Sequence, residues 1–269
     1  MLRRKTDNAQ ESVFKKRKRT YTIIILCVAG LYAFSSLVTE YNAIDGLKSL
    51  PKAISWIVRN LVPDQKALQR FPNILKKLME TTLLSISVTV TAAICAFFFS
   101  LLGSNTTKIS NVISRIVRMI AAFFRNVPDV VWAMLLLFSF GQNMLTGFFA
   151  LFFATFGMLT RTFIETIDEV SASCTEALQA TGATYMQTVF QAIIPSSLSE
   201  IVTWVLFMIE TNIRSSTLIG MLTATGIGYL FDLYYKRLDY GSASLTVICI
   251  VALVILIETI SSRIRKVIM

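Results

Sequence analysis

Three observations predict an all-α polytopic membrane protein with six transmembrane helices. Only 16% of the 269 residues are charged and 54% are hydrophobic, with a mean hydropathy of +0.63. An ordinary soluble domain carries about 25% charged residues, and a soluble globule of this composition would expose large apolar patches. Charge-free runs long enough to cross a bilayer recur along the chain, and basic clusters flank several of them.

Each span needs about 20 mostly apolar residues to cross about 30 Å of hydrocarbon. The first runs from Thr20 to Thr39 behind a basic tail, residues 1–19, which holds Arg3, Arg4, Lys5 and Lys15-Lys-Arg-Lys-Arg19. A basic cluster abutting an apolar run reads as a topology signal rather than a nucleic-acid patch. The run exceeds the about 7–15 residues of a signal-peptide core and no clear A-x-A site follows, so it reads as an uncleaved helix. Residues 40–77 form an external loop with Leu47, Leu50, Ile54, Ile57 and Leu61 at helical spacing. That pattern fits an amphipathic helix on the membrane surface, with its lysines in water or at headgroups.

The core, residues 78–269, supplies the remaining spans. One covers Thr81 to Thr107, between Glu80 and Lys108. Val130 to Thr160 is too long for one upright helix, and Gly141-Gln-Asn-Met-Leu-Thr-Gly147 in its middle has turn-forming chemistry. It reads as two helices, the first beginning near Met119, with Arg125, Pro128 and Asp129 near its start. A snorkelling arginine and a helix-start proline account for those three without any function. A further span begins near Ser197, and the last runs from Tyr240 to Ile257 before Arg263, Arg265 and Lys266. Lysine and arginine placement assigns both termini to the cytoplasm, although the basic first loop opposes this.

Several chemistries are excluded at once. There is no histidine, and Cys27, Cys95, Cys174 and Cys249 form no C-x-x-C pair, so neither a zinc site nor a disulfide framework is supported. No G-x-x-x-x-G-K-[ST] stretch occurs, so ATP hydrolysis would belong to another chain. The phenylalanine groups at 97–99 and 148–153 read as lipid- or core-facing bulk.

Arg161 to Pro195 reads as a long cytoplasmic connection, with Glu165, Asp168, Glu169 and Glu176 opposing only Arg161. Glu165, Asp168 and Glu169 read as a solvated face. Glu176 to Ala180 are good helix formers, Gly182 suits a left-handed turn, and Pro195 resists continued helix. A short helix, a bend, a second helix and a new span are predicted.

The stretch Glu176-Ala-Leu-Gln-Ala-Thr-Gly182, followed by Ala192-Ile-Ile-Pro195, resembles the EAA loop of ABC-importer permeases. Glu176, Ala177, Gly182 and Pro195 occupy matching places; Leu178, Ala192 and Ile194 are apolar departures. Arg125-Asn-Val-Pro-Asp-Val-Val-Trp-Ala-Met-Leu135 and Gly157-Met-Leu-Thr-Arg-Thr-Phe-Ile-Glu165 resemble segments of phosphonate permeases. Most specific is Glu210-Thr-Asn-Ile-Arg-Ser-Ser-Thr-Leu-Ile-Gly220 with Gly226-Ile-Gly228, similar to a phosphonate-permease signature. The likeness spans residues 70–265.

The resemblance implies a MetI-like, type I ABC-importer permease fold, with a five-helix core plus one N-terminal helix in a bacterial inner membrane. It implies import of phosphonate or related phosphorus oxyanions such as phosphate or phosphite. In that family the loop over 165–196 is the coupling segment, and Glu176 points toward a cytoplasmic ABC ATPase dimer that binds ATP and Mg. A second permease copy or paralogue, an extracytoplasmic substrate-binding protein and the lipid bilayer are the other implied partners, and nucleic acid is not one. No catalytic residue, metal or cofactor is expected in this chain.

Glu210 and Arg214 lie one helical turn apart, where one face can carry both. Ionisable groups at membrane depth cost on the order of 2.5–3.5 kcal/mol on insertion scales, so two readings are open. In one, Arg214 with Asn212, Ser215 and Ser216 lines an anion route or its gate. In the other, the pair neutralises itself and fixes helix packing. Among rivals, a permease of the same architecture for another solute such as methionine is separated only by uptake competition. An ion-coupled secondary transporter would show inverted repeats with broken helices, and a membrane enzyme would need a nucleophile or metal motif; the sequence shows neither.

Overall fold

A computed structural model describes residues 2–60, 62–170 and 172–268, with side chains from residue 17 onward except at 43, 44, 172 and 179. The basic side chains of Arg3, Arg4, Lys5, Lys15 and Lys16, together with Leu61, lie outside the described residues. Among the described residues every regular element is helical, and the chain divides into two compact units, Met1–Arg59 and Asn60–Met269.

The first unit holds α1 (Leu2–Val38) and α2 (Ala43–Asn60). The Arg17–Val38 part of α1 is apolar and long enough to cross a membrane, and Ile25, Leu26, Leu31 and Phe34 are all exposed along it. The helix ends where Glu40 takes a left-handed φ of 53°. In α2, Asp45 in the first turn and Arg59 in the last complement the helix dipole. Leu47, Leu50, Ile54 and Ile57 on α2 are exposed.

The second unit begins with α3 (Gln65–Gly103), capped by Asp64, whose carboxylate accepts the Ala67 amide at 2.8 Å. This helix starts far upstream of Thr81. The charged residues Lys66, Arg70, Lys76 and Lys77 end the apolar run but are good helix formers, so they do not end the helix.

The span expected to run unbroken from Met119 is instead two helices, α4 (Asn111–Asn126) and α5 (Asp129–Phe140), bent by 89°. Pro128 lacks an N–H and pushes Val127 into extended backbone at φ −93°, ψ 119°. The elbow is braced by Phe124, Trp132 and Phe153, whose ring centroids are 4.9, 5.1 and 5.5 Å apart. Among the described residues five helices are therefore long and apolar enough to cross a membrane, and the count reaches six only when this bent pair is taken as one span.

At the centre lies α6 (Met144–Val170), which packs against α3, α4 and α5. Ala92 and Ala96 of α3 allow close approach of Phe156, Leu159 and Phe163. The expected loop from Arg161 to Pro195 is much shorter in the structure. Helix α6 continues to Val170, with Arg161 and Glu165 paired across one turn at 2.6 Å. Then come α7 (Ala172–Ala180) and α8 (Tyr185–Thr188), which passes through a π-helical turn (Val189–Ile193) into α9 (Ile194–Thr223).

Pro195 does not stop the helix. It sits in the first turn of α9, directly after the wide turn in which the Ile194 amide donates to the Val189 carbonyl. A wide turn re-spaces the carbonyls that a proline ring would otherwise strike. The hydroxyls of Ser196 and Ser197 donate to the Ala192 and Ile193 carbonyls at 2.5 and 2.6 Å.

After α9 the chain turns at Ala224, which is left-handed, into α10 (Gly226–Lys236) and then α11 (Tyr240–Ile268). A Cβ at Gly228 would collide with the backbone of Thr217 and Met221, so only glycine permits this approach of α10 to α9. Beside the α10–α11 turn, Arg70 of α3 pairs with Asp239, lies 3.2 Å from the Ser242 hydroxyl, and stacks 5.0 Å from the Tyr234 ring.

Candidate functional site: a coupling segment and a charged cluster

Two regions carry the sequence-predicted site residues. The first is the segment from α7 to the start of α9. The helix α7 ends in a Schellman arrangement: the Ala183 amide donates to the Leu178 carbonyl at 3.3 Å, and Gly182 adopts φ +82°. Thr184 then caps α8 through a reciprocal box with Gln187. Within α7, Thr175 is buried and Leu178 half-buried, whereas Glu176 and Ala177 are exposed. Glu176 and Ala177 thus share a free outer face, Gly182 makes the bend beside it, and Pro195 is exposed at the foot of α9. Glu176 makes no ion pair among the described residues.

The solvated face expected for Glu165, Asp168 and Glu169 is only partly found. Glu165 and Glu169 are exposed, but Asp168 faces inward and ties three elements together. Its carboxylate accepts from the Ser104 hydroxyl at 2.5 Å and the Asn105 amide at 2.7 Å, and it pairs with Arg118 of α4 at 3.0 Å. Arg118 also donates to the Gly103 carbonyl at 2.9 Å. A carboxylate accepting several charge-assisted bonds is a strong, directional anchor. It fixes the end of α6, immediately before α7, to the α3–α4 turn.

The second region is on α9, where Glu210 and the residues after it point two ways. Glu210 is 90% buried at its side chain and pairs with Arg214 at 3.1 Å through one oxygen. Its other oxygen lies 3.6 Å from Arg265 of α11, a residue sequence reasoning placed in a basic tail. Arg214 is half-exposed. Asn212 and Ser216 lie on the opposite, buried side. The Asn212 amide donates to Thr89 at 2.8 Å and Thr155 at 2.9 Å, and Ser216 is 2.9 Å from the Ser85 hydroxyl. Ser215 is partly buried. The predicted residues are therefore close in sequence but divided: Asn212 and Ser216 bind α9 to α3 and α6, while Arg214 faces outward. Only the period of a helix carried that division, and Arg265, which joins the cluster from α11, had no local signal.

A sequence profile of the family described as "Binding-protein-dependent transport system inner membrane component" matches residues 96–268. The chain is 27% identical over 192 residues to the phosphate-import permease protein PhnE of Mycolicibacterium smegmatis, covering 71% of this chain. It spans only 36% of that relative's length. It is 26% identical over 220 residues to the phosphite transport system permease protein PtxC of Stutzerimonas stutzeri, covering 82% of this chain and 79% of that one. Among solved structures, an inward-facing form of the methionine ABC transporter MetNI superposes with a TM-score of 0.65 at 19% identity, over 77% of this chain and 99% of that one. The match over residues 96–268 covers more than half of the chain and leads to one conclusion: the chain belongs to the family of binding-protein-dependent transport system inner membrane components.

Proposed function

We propose that this chain is the permease subunit of an ABC importer that moves phosphonate or related phosphorus oxyanions, phosphate and phosphite among them, across a bacterial inner membrane. The observation that carries the substrate class is the pair of relatives named for phosphate and phosphite, aligned over 71% and 82% of the chain. Arg214 suits such cargo, since a half-exposed guanidinium on a membrane helix can donate paired hydrogen bonds to phosphoryl oxygens.

In this reading the chain is a passive gate without enzyme activity. Glu176 and Ala177 on the outer face of α7, the bend at Gly182 and the foot of α9 at Pro195 dock onto one subunit of a separate ATPase dimer, which holds ATP and Mg. Because helix runs without interruption from Tyr185 to Thr223, displacement of the docked end reaches Glu210 and Arg214 directly. A second permease, copy or paralogue, completes the pathway, and an extracytoplasmic binding protein delivers the solute. Both termini lie in the cytoplasm, and α2, between the first span and α3, lies on the external side.

The test is uptake by the assembled transporter with methylphosphonate, phosphite, phosphate and methionine in competition. Competition by the phosphorus compounds alone supports the reading. Competition by methionine alone overturns the substrate class, since the structural likeness at 19% identity carries the fold only.

A further inference from the structure

Two guanidiniums, Arg214 at 3.1 Å and Arg265 at 3.6 Å, share the single buried carboxylate of Glu210, one on each oxygen. A carboxylate neutralises one of them. The cluster therefore holds one positive charge in excess. Excess charge around a buried carboxylate is costly and is retained where something offsets it. The two arginines are not equivalent: Arg265 is three-quarters buried and anchored on its own helix to Ser261, at 3.4 Å to the carbonyl and 3.2 Å to the hydroxyl, whereas Arg214 is half-exposed.

We infer that Arg265 is a positioning residue that occupies Glu210 and so leaves the charge of Arg214 available to a passing phosphorus oxyanion. This rests on the proposed anion cargo and extends it to the far end of the chain. Glu210 alone with Arg214 would make a closed, neutral pair, because both carboxylate oxygens would then be open to the one guanidinium, whose fork can bind them together. With Arg265 present, Arg214 keeps at most one oxygen of Glu210. An arriving dianion meets a guanidinium whose remaining donors are free, and when it leaves, Arg214 returns to Glu210.

The test uses the complete transporter in proteoliposomes, with methylphosphonate and phosphate as probes. In Arg265→Gln the cluster is neutral, and uptake should fall about tenfold, the scale of one lost charged hydrogen bond. Arg265→Lys keeps the charge and should stay within about threefold, since an ammonium pairs less directionally than a guanidinium. The decisive variant is the double one, Glu210→Gln with Arg265→Gln, which removes both charges and frees Arg214 again; uptake should recover most of the loss. If Arg265 only braces helices, the double variant is as poor as the single one or worse, and the inference is overturned.

A second readout does not depend on which solute is carried. Phenylglyoxal modification of Arg214, followed by mass spectrometry on the purified complex, should slow in Arg265→Gln and return to the wild-type rate in the double variant. An unchanged rate in Arg265→Gln overturns the inference even if neither probe is transported. Failure of the wild type to transport either probe, with the modification pattern as expected, overturns the cargo assignment alone.

Discussion

The segment around Glu176 and the cluster around Glu210 use acidic side chains in opposite ways. Glu176 stands on an exposed helical face, and its surroundings are fixed by backbone geometry: a Schellman end, a left-handed glycine and a capped short helix. Glu210 is nearly inaccessible, and its surroundings are fixed by charge from its own helix and from α11. An exposed carboxylate costs little to hold and can wait for a partner chain. A buried one is tolerated only with its counter-charges in place, and removing them leaves an uncompensated charge. One region leaves its carboxylate on an open face, and the other holds its carboxylate among its own counter-ions. Asp168, bonded to the α3–α4 turn and to Arg118, lies at the end of α6, immediately before α7.

The largest effect should come from the buried side of this contrast. Glu210→Leu leaves two arginines without their carboxylate and should lower stability by about 3 kcal/mol, read as the thermal unfolding midpoint of the purified complex. Glu176→Ala should leave that midpoint unchanged while ATPase co-purification and uptake fall together. Equal destabilisation by the two would erase the distinction.

Next in size is Asp168→Asn, which weakens the bonds to Ser104, Asn105 and Arg118. It should cost about 1–3 kcal/mol and reduce uptake while the ATPase still co-purifies. Loss of co-purification would place Asp168 in the docking surface itself. Gly182→Val puts a β-branched residue at φ +82° and should cost about 1–3 kcal/mol locally, seen as protease sensitivity confined to α7 and α8.

The smallest effect concerns the α10–α11 turn. Burial would raise the carboxyl of Asp239, but the Ser242 amide and hydroxyl and the Arg70 guanidinium outweigh it and hold it below the usual carboxylate range. A lowered pKa contributes stability above the ordinary aspartate value of about 3.9, and that contribution is lost as pH falls through the lowered value. Asp239→Asn should flatten the acid limb of a stability-against-pH curve, lowering stability modestly near neutrality and changing little at low pH.

What the sequence could reveal follows from how local each determinant is. The bend at Gly182 and the pairing of Glu210 with Arg214 are set within a few residues, and both were legible. Pro128 was visible too, yet it was read as a helix start inside one span, because a linear pattern does not report the 89° turn. Pro195 misled for the reverse reason, since the wide turn that accommodates it leaves no mark in hydrophobic periodicity. Asp168 and Arg265 were hidden most deeply: their partners lie on other helices, tens of residues away.

The wide turn at Val189–Ile193 has one more consequence. It carries a surplus residue, so it sets the azimuth of everything beyond it relative to α7. Excising Gln191 would let an ordinary helix form there and rotate the rest of α9 by about 100° against its neighbours. Glu210 would then swing away from Arg265, and Asn212 from Thr89 and Thr155. A chain shortened by that one amino acid, with each named side chain still present, would have its two ends out of phase, like a camshaft assembled one tooth off.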